Sequence, residues 1–117
     1  LCAAVLDAHL FHGNDLGIDI HNITWRRVVD INDRALRNIT VGLGGRLDGI
    51  PRESGFDITA ASEVMAALAL ATSLQDLRNK MGAIVVGYTK DDKPVTAEDL
   101  EVAGSMTVML REAIKPN

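Results

Sequence analysis

The first element that the pattern of apolar and polar positions predicts is a helix over residues 1–12. Its positions are apolar on almost every side, and Asp7, His9 and His12 are the exceptions. Gly13 and Asn14 follow this helix, and both residue types tolerate the left-handed backbone conformation that is common just after a helix. A helix that is apolar all round requires cover from several directions, so we expect this one to be buried.

A second helix is predicted over residues 60–71, with Thr59 as its N-cap. Ser62 and Glu63 fall in its first turn, where a carboxylate is favourable. The stretch 64–71 has no polar face, so burial on all sides is again expected.

Two capping patterns mark the remaining helices. Ser73 and Asp76 have the spacing of a capping box and open a helix that runs to Met81. Thr96 and Asp99 have the same spacing ahead of the last helix, which is predicted to carry one apolar stripe. The stripe consists of Met106, Met109, Leu110 and Ala113.

Strands are predicted where β-branched residues concentrate. Residues 83–89 form a run apolar enough to be buried on both faces, and residues 90–93 form a turn. Residues 25–31 and 38–42 are interpreted as a β-hairpin around the turn at 32–34, and a continuous helix over 30–38 is the alternative.

Residues 15–24 and 42–56 are interpreted as loops. Strands mixed with helices give an α/β class. The chain begins inside an apolar helix with no capping residue before Leu1, and a Pro at 116 closes a helix just before the sequence stops. We therefore expect a segment of a larger protein.

Composition narrows the function classes. Twelve basic residues face sixteen acidic ones, for a formal charge of -4, which argues against nucleic-acid binding through a basic face. No apolar run is long enough to span a membrane, so a membrane partner is not expected. Cys2 is the single cysteine, which excludes an intrachain disulfide and favours a reducing, cytoplasmic compartment.

Two patterns carry only weak signals for ligand chemistry. His9 and His12 lie three apart on a helix, but no carboxylate or cysteine completes a metal set at ligand spacing, so no metal site is predicted. The glycine-rich sequence GLGG at 42–45 follows a strand and could cradle phosphate. It lacks the Gly-Lys-Ser/Thr of a P-loop, so a plain turn is favoured.

The strongest candidates lie in the mixed-charge sequence at residues 51–59. Arg52, Glu53, Asp57 and Thr59 precede a buried helix, either as a salt-bridged loop with an N-cap or as a wall of a polyanion or cation site, and they are the candidates for a substrate or phosphate site. On these residues alone the structural interpretation is favoured. The basic sequence at 25–27 is interpreted as a solvated strand face.

Long strings of this sequence resemble the formate–tetrahydrofolate ligase family, also called formyltetrahydrofolate synthetase. Together they extend over essentially the whole chain. They are ITWRRVVDINDRALRN at 23–38, GLGG at 42–45, GIPRESGFDITAASEVMA at 49–66, KPVT at 93–96, GSM at 104–106 and IKPN at 114–117.

The resemblance implies ATP-dependent ligation of formate to tetrahydrofolate through formyl phosphate, giving 10-formyltetrahydrofolate, ADP and phosphate. It further implies ATP with Mg²⁺, a monovalent cation such as K⁺ or NH₄⁺ as activator, and a homotetramer. The chain would be an internal part, residues 1–117, of the family's large α/β nucleotide-binding domain of P-loop type.

The family's P-loop and its aromatic folate-binding residues are not in this sequence. No catalytic residue is therefore identifiable, and the segment alone is expected to be inactive. Two alternatives stay open: the same domain within a trifunctional C1-tetrahydrofolate synthase, or a non-catalytic structural module.

Overall fold

The computed structural model describes residues 1–45 and 49–114, a mixture of helices and short strands. The closing helix turn expected at Pro116 lies outside the described residues. In chain order the elements are α1 Cys2–Phe11, β1 Ile18–Ile23, β2 Arg27–Val29, β3 Ile39–Val41, β4 Arg52–Ser54, β5 Phe56–Ile58, α2 Glu63–Leu70, α3 Leu74–Ala83, β6 Val85–Thr89, β7 Pro94–Thr96 and α4 Ala103–Leu110. Three 3₁₀ turns cover Arg34–Leu36, Thr59–Ala61 and Arg111–Ile114.

The core lies between an antiparallel sheet, in the order β1-β6-β7, and the helices α1, α3 and α4. Leu6, Leu77, Met81 and Val86 are fully buried at its centre. Cys2 packs into the same core, and this burial raises the pKa of its thiol to about 11. The predicted helix at α1, the Ser73-capped helix α3 and the buried strand β6 are confirmed, and so is the mixed α and β composition.

Strand β1 lies inside the segment 15–24, which the sequence analysis predicted to be a loop. Asn14 explains the start of this strand, because its side-chain amide donates to the carbonyl of Ile18 and its side-chain oxygen accepts from the Ile18 N–H, at 2.8 and 2.9 Å. Ile18 and Ile20 alternate with Asp19, a period-two signal that the surrounding Gly, Asn and Asp residues obscured.

The predicted β-hairpin is wrong, although both of its strands exist. β2 pairs in parallel with β5, and β3 pairs antiparallel with β4. Between β2 and β3 the chain makes a 3₁₀ turn at Arg34–Leu36, which Asp33 caps by accepting from the Ala35 N–H at 3.0 Å. This turn is all that forms of the alternative helix over 30–38. The predicted loop 42–56 is also wrong in part, since it contains β4.

Helix α2 begins three residues later than predicted, and its N-cap is Ser62. The Ser62 hydroxyl accepts from the Met65 N–H at 3.3 Å, whereas Thr59 opens the preceding 3₁₀ turn and makes no such bond. The Thr96–Asp99 capping box does form, with reciprocal bonds of 2.9 and 3.2 Å, but it closes a turn before α4 instead of opening that helix.

Replacing the Ser62 cap is expected to destabilise the fold more than replacing Thr59. Ser62→Ala leaves the Met65 N–H without its side-chain acceptor, for a loss of about 1 kcal/mol in the free energy of unfolding. Thr59→Ala should stay within about 0.5 kcal/mol. Urea unfolding of both variants measures the difference, and a larger loss for Thr59→Ala would contradict the assignment of the cap.

The cover on all sides that the sequence predicts α1 and α2 to need is not supplied by the described part of the chain. In α1 one face is buried, whereas Phe11 is exposed; in α2 no residue is fully buried, and Leu70 is 71% exposed. The predicted stripe of α4 is divided, because Met106 is buried and Met109 is 70% exposed. None of the helices in the described residues combines the length and apolar composition needed to cross a membrane.

Candidate functional site

One carboxylate, Asp7 on α1, is shared by two arginines that come from separate strands. Arg52 at the start of β4 donates from Nη2 to Asp7 Oδ1 at 2.8 Å, and Arg27 at the start of β2 donates from Nη2 to Asp7 Oδ2. The side chain of Arg52 is 3% exposed and that of Asp7 is 33% exposed. Two positive charges therefore meet one negative charge in a partly buried corner of the fold, in which Arg52 is the most enclosed of the three.

Three buried polar atoms around this cluster have no hydrogen-bond partner within the described structure. They are Nη1 of Arg27, Nε of Arg52 and Oγ of Ser54. Buried polar groups in proteins are nearly always bonded, since an unpaired one costs on the order of 1–3 kcal/mol. The corner thus holds unused hydrogen-bond donors beside a surplus positive charge.

A polar cavity of about 430 Å³ adjoins this corner. Arg52 and Ser54 both line it, as expected for residues two apart on one face of a strand. The remaining lining residues are Ile20, His21, Ile23, Thr24, Trp25, Arg26, Pro51 and Glu53.

A second ion pair lies nearby and connects strand β5 to Arg26, the residue just before β2. Arg26 Nε lies 3.2 Å from Asp57 Oδ1, and Arg26 Nη2 donates to the carbonyl of Arg37. Both side chains are partly exposed. Asp57 and Thr59 line a different cavity, of about 620 Å³ and largely apolar, which also contacts Trp25 and Arg26.

The four residues predicted for a substrate or phosphate site therefore do not share one cavity. Arg52 and Glu53 belong to the polar cavity, whereas Asp57 and Thr59 belong to the apolar one. Glu53 is exposed and Thr59 is half-buried.

Sequence reasoning missed Asp7 and misplaced Arg27. The sequence at 25–27 was predicted to be a solvated strand face, but Arg26 and Arg27 are half-buried and ion-paired. The signal for Asp7 was present, because it is the single carboxylate in an otherwise apolar helix. Such a charge is seldom buried without a partner, so Asp7 in this helix already indicates a cation opposite it.

The histidines and the glycine-rich turn have local roles. His9 Nε2 accepts from the Leu16 N–H at 3.1 Å, and the His12 ring meets Phe11 edge to face. Within residues 1–45 and 49–114, no three His, Cys, Asp or Glu side chains group as metal ligands. Gly42 has φ +80°, and a Cβ there would lie 2.5 Å from the carbonyl oxygen of Ile50, so glycine is required by the turn itself.

A separate surface pair serves as a reference for the buried cluster. Arg78 on α3 reaches both carboxylate oxygens of Glu98, at 2.6 and 3.1 Å. The hydrogen bonds and charge of Arg78 hold the pKa of Glu98 below its usual value. This pair lies away from both cavities described above.

Comparison with known proteins extends over the whole chain. The sequence model of the family described as formate–tetrahydrofolate ligase matches residues 1–117. The chain is 68% identical over 117 residues to the formate–tetrahydrofolate ligase of Saccharopolyspora erythraea, and 65% identical to that of Cutibacterium acnes, in each case over the whole chain and 21% of the relative. It is 64% identical to formate–tetrahydrofolate ligase 3 of Rubrobacter xylanophilus, over 20% of that protein. The chain thus spans about a fifth of the length of these relatives.

Proposed function

Because the chain belongs to the formate–tetrahydrofolate ligase family, we propose that the protein containing it joins formate to tetrahydrofolate with ATP. The products are 10-formyltetrahydrofolate, ADP and phosphate, formed through formyl phosphate. The observation that carries this proposal is the extent of the similarity, 117 residues at 60% identity or more in eight curated relatives of that name. The family expected from the sequence strings is confirmed.

The chain contributes an internal part of the large nucleotide-binding domain. The mixed α and β composition supports a P-loop-type fold for the complete domain. The proposal includes a cytoplasmic location and a homotetramer, and it keeps ATP, formate and tetrahydrofolate as the molecules bound.

The residues of this chain do not fit a nucleotide–metal site of their own. The sequence contains no Gly-Lys-Ser/Thr, and the described part groups no three acidic or imidazole ligands. We therefore assign the binding of ATP, of Mg²⁺ and of a monovalent cation to parts of the protein outside these residues.

What this chain offers the active site is the charged surface around β4 and β5. Arg52, Glu53, Asp57 and Thr59 are the proposed contact residues, and Trp25 and Arg26, which adjoin both cavities, connect them. Guanidinium groups suit the carboxylates and phosphates of this reaction, because their N–H donors match the oxygen pairs of such anions.

The overall proposal is tested by the complete polypeptide. Purified protein supplied with ATP, Mg²⁺, formate and tetrahydrofolate should release ADP only when formate is present. ADP release that is absent, or that continues without formate, would overturn the proposed reaction.

Asp57→Asn in the complete polypeptide tests the site. Asp57 is not the cap of α2, and its carboxylate forms an ion pair with Arg26. Asparagine keeps an oxygen to accept from Arg26 Nε but removes the charge. We expect kcat/KM to fall about tenfold, equivalent to about 1.4 kcal/mol of transition-state stabilisation.

The melting temperature of the Asp57→Asn variant should barely change, since a partly exposed pair contributes only about 0–1 kcal/mol. Glu98→Gln, which removes a carboxylate from the distant pair with Arg78, is the matched control and should keep wild-type turnover. Steady-state kinetics and a melt on the same preparations decide the matter. Wild-type turnover in Asp57→Asn would remove Asp57 from the active site.

A further inference from the structure

The cluster around Asp7 has more positive charge and more hydrogen-bond donors than it uses. Asp7 accepts one bond from Arg27 and one from Arg52, which leaves one positive charge unbalanced. Nη1 of Arg27, Nε of Arg52 and Oγ of Ser54 stay unpartnered although each is buried. We propose that Arg52 and Ser54, which line the polar cavity, form a binding site for a small oxyanion, a carboxylate or a phosphate, and that Arg27 adds positive charge behind it through the shared Asp7.

Arg52 is prepared for such a ligand by its surroundings. It is more than nine-tenths buried, and Asp7 holds one end of its guanidinium through Nη2. The remaining N–H groups are therefore fixed in direction before any ligand arrives, which removes much of the ordering cost of binding. A planar guanidinium held in this way suits the paired oxygens of a carboxylate or phosphate.

The neighbouring space and charge fit the same ligand class. The cavity of about 430 Å³ that Arg52 and Ser54 line exceeds the ~30 Å³ share of one water many times over, so a small oxyanion has room. Its other formal charges are Arg26, already paired with Asp57, and Glu53, which occupies the exposed face of β4. With Glu53 counted, the formal charges of the cluster, of the Arg26–Asp57 pair and of Glu53 sum to zero, but Glu53 is exposed to solvent, so the excess charge buried beside Arg52 is positive.

Only the choice of probe rests on the proposed function, because formate and phosphate are the oxyanions which that reaction handles. The site itself rests on the buried donors. Binding is measured on the complete polypeptide by isothermal titration with sodium formate or sodium phosphate, without nucleotide or folate. Sodium chloride at equal ionic strength is the blank.

The first variant is Arg52→Lys, which keeps the charge opposite Asp7 but removes the guanidinium donors. We expect formate, phosphate or both to bind about tenfold more weakly. Ser54→Ala removes one unpartnered hydroxyl and should weaken the same ligand by about threefold. Arg78→Lys makes the same chemical change in the surface pair with Glu98. The affinity of this variant for formate and phosphate should equal that of the wild type.

For the second variant, Asp7→Asn, we expect the affinity for the oxyanion to change in the opposite direction. Removing the shared carboxylate leaves two unbalanced arginines, so the affinity for the same oxyanion should rise several-fold. If the cluster served only to hold α1 against β2 and β4, Arg52→Lys and Asp7→Asn would both lower the stability. The affinity for the oxyanion would then not change in opposite directions in the two variants. If Asp7→Asn does not fold, Arg52→Lys and Ser54→Ala still decide the question.

The outcomes separate cleanly. Weakening for formate alone makes the site a carboxylate site, and weakening for phosphate alone makes it a phosphate site. Equal affinities in wild type and Arg52→Lys, or no binding of either anion by the wild type, would overturn the inference even if the ligase reaction is intact. Intact binding in a protein without ligase activity would instead overturn the proposed function and leave the site standing.

Discussion

The isolated 117-residue chain is expected to release no ADP in response to formate and tetrahydrofolate. In enzymes of the P-loop class, phosphoryl transfer from ATP depends on a loop that cradles the β- and γ-phosphates and on a lysine and a hydroxyl that follow its glycines. The glycine-rich sequence GLGG at 42–45 is followed by Arg46, and no Gly-Lys-Ser/Thr occurs anywhere in the chain. The tight turn at Gly42 is explained by its contact with Ile50.

The expected loss is complete within the sensitivity of the assay, more than about a thousandfold below the complete polypeptide, since positioning and charge stabilisation supply most of the catalysis of phosphoryl transfer. A coupled assay for ADP, with both proteins at the same molar concentration, makes the comparison. Formate-dependent turnover by the chain alone would show that this segment contains a nucleotide site which its sequence does not reveal.

Gly55→Ala is expected to be the most destabilising single substitution considered for this chain. Gly55 is buried between β4 and β5, and a Cβ there would run into the backbone carbonyl of Arg37 and the guanidinium of Arg26. The carbonyl belongs to the backbone and cannot rotate away. The Gly55 carbonyl also accepts from the Arg27 N–H at 3.0 Å, so any shift disturbs the pairing of β2.

The expected loss for Gly55→Ala is about 2–4 kcal/mol in the free energy of unfolding, typical of overpacking at a site that cannot relax. For a domain of this size that corresponds to a fall of roughly 10–20 °C in Tm. Gly104→Ala is the matched control. It lies in α4 with its nearest neighbouring atom at 4.0 Å, so the extra methyl should be neutral or slightly stabilising. A melting temperature for Gly55→Ala equal to that of the control would contradict the packing described for this glycine.

The elements that could be predicted from the sequence are those whose signals are local. Ser73 caps α3 through a bond to the Asp76 N–H three residues later, and this spacing is visible in the sequence. The run that forms β6 is apolar because the strand is central in its sheet. Strand pairing is different in kind: β2 takes β5 as its partner, far along the chain, so no local pattern distinguishes that pairing from a hairpin with β3.

The candidate site was predictable in part for the same reason. The mixed charges at 51–59 identified Arg52 and Asp57, because clustered ionisable groups in a short segment are apparent from composition. Their partners, Asp7 and Arg26, lie 45 and 31 positions away. A single sequence indicates that a buried charge needs a partner, but the fold determines which residue is that partner.

The exposed apolar positions of α2 and of the predicted stripe on α4 have a related cause. An apolar surface indicates that a helix needs to be covered by other residues, but it does not identify those residues. In the described part of the chain no element covers Leu70 or Met109, so both stay exposed.

The burial of Cys2 gives the chain an internal chemical reporter. The thiolate is the form that reacts with alkylating reagents, and a pKa of about 11 in place of 9.0 lowers its fraction at neutral pH by about a hundredfold. The sulfur is also enclosed by the core that contains Leu6 and Leu10. Since no other cysteine competes for the reagent, the rate of alkylation measures how often the first turn of α1 leaves the core.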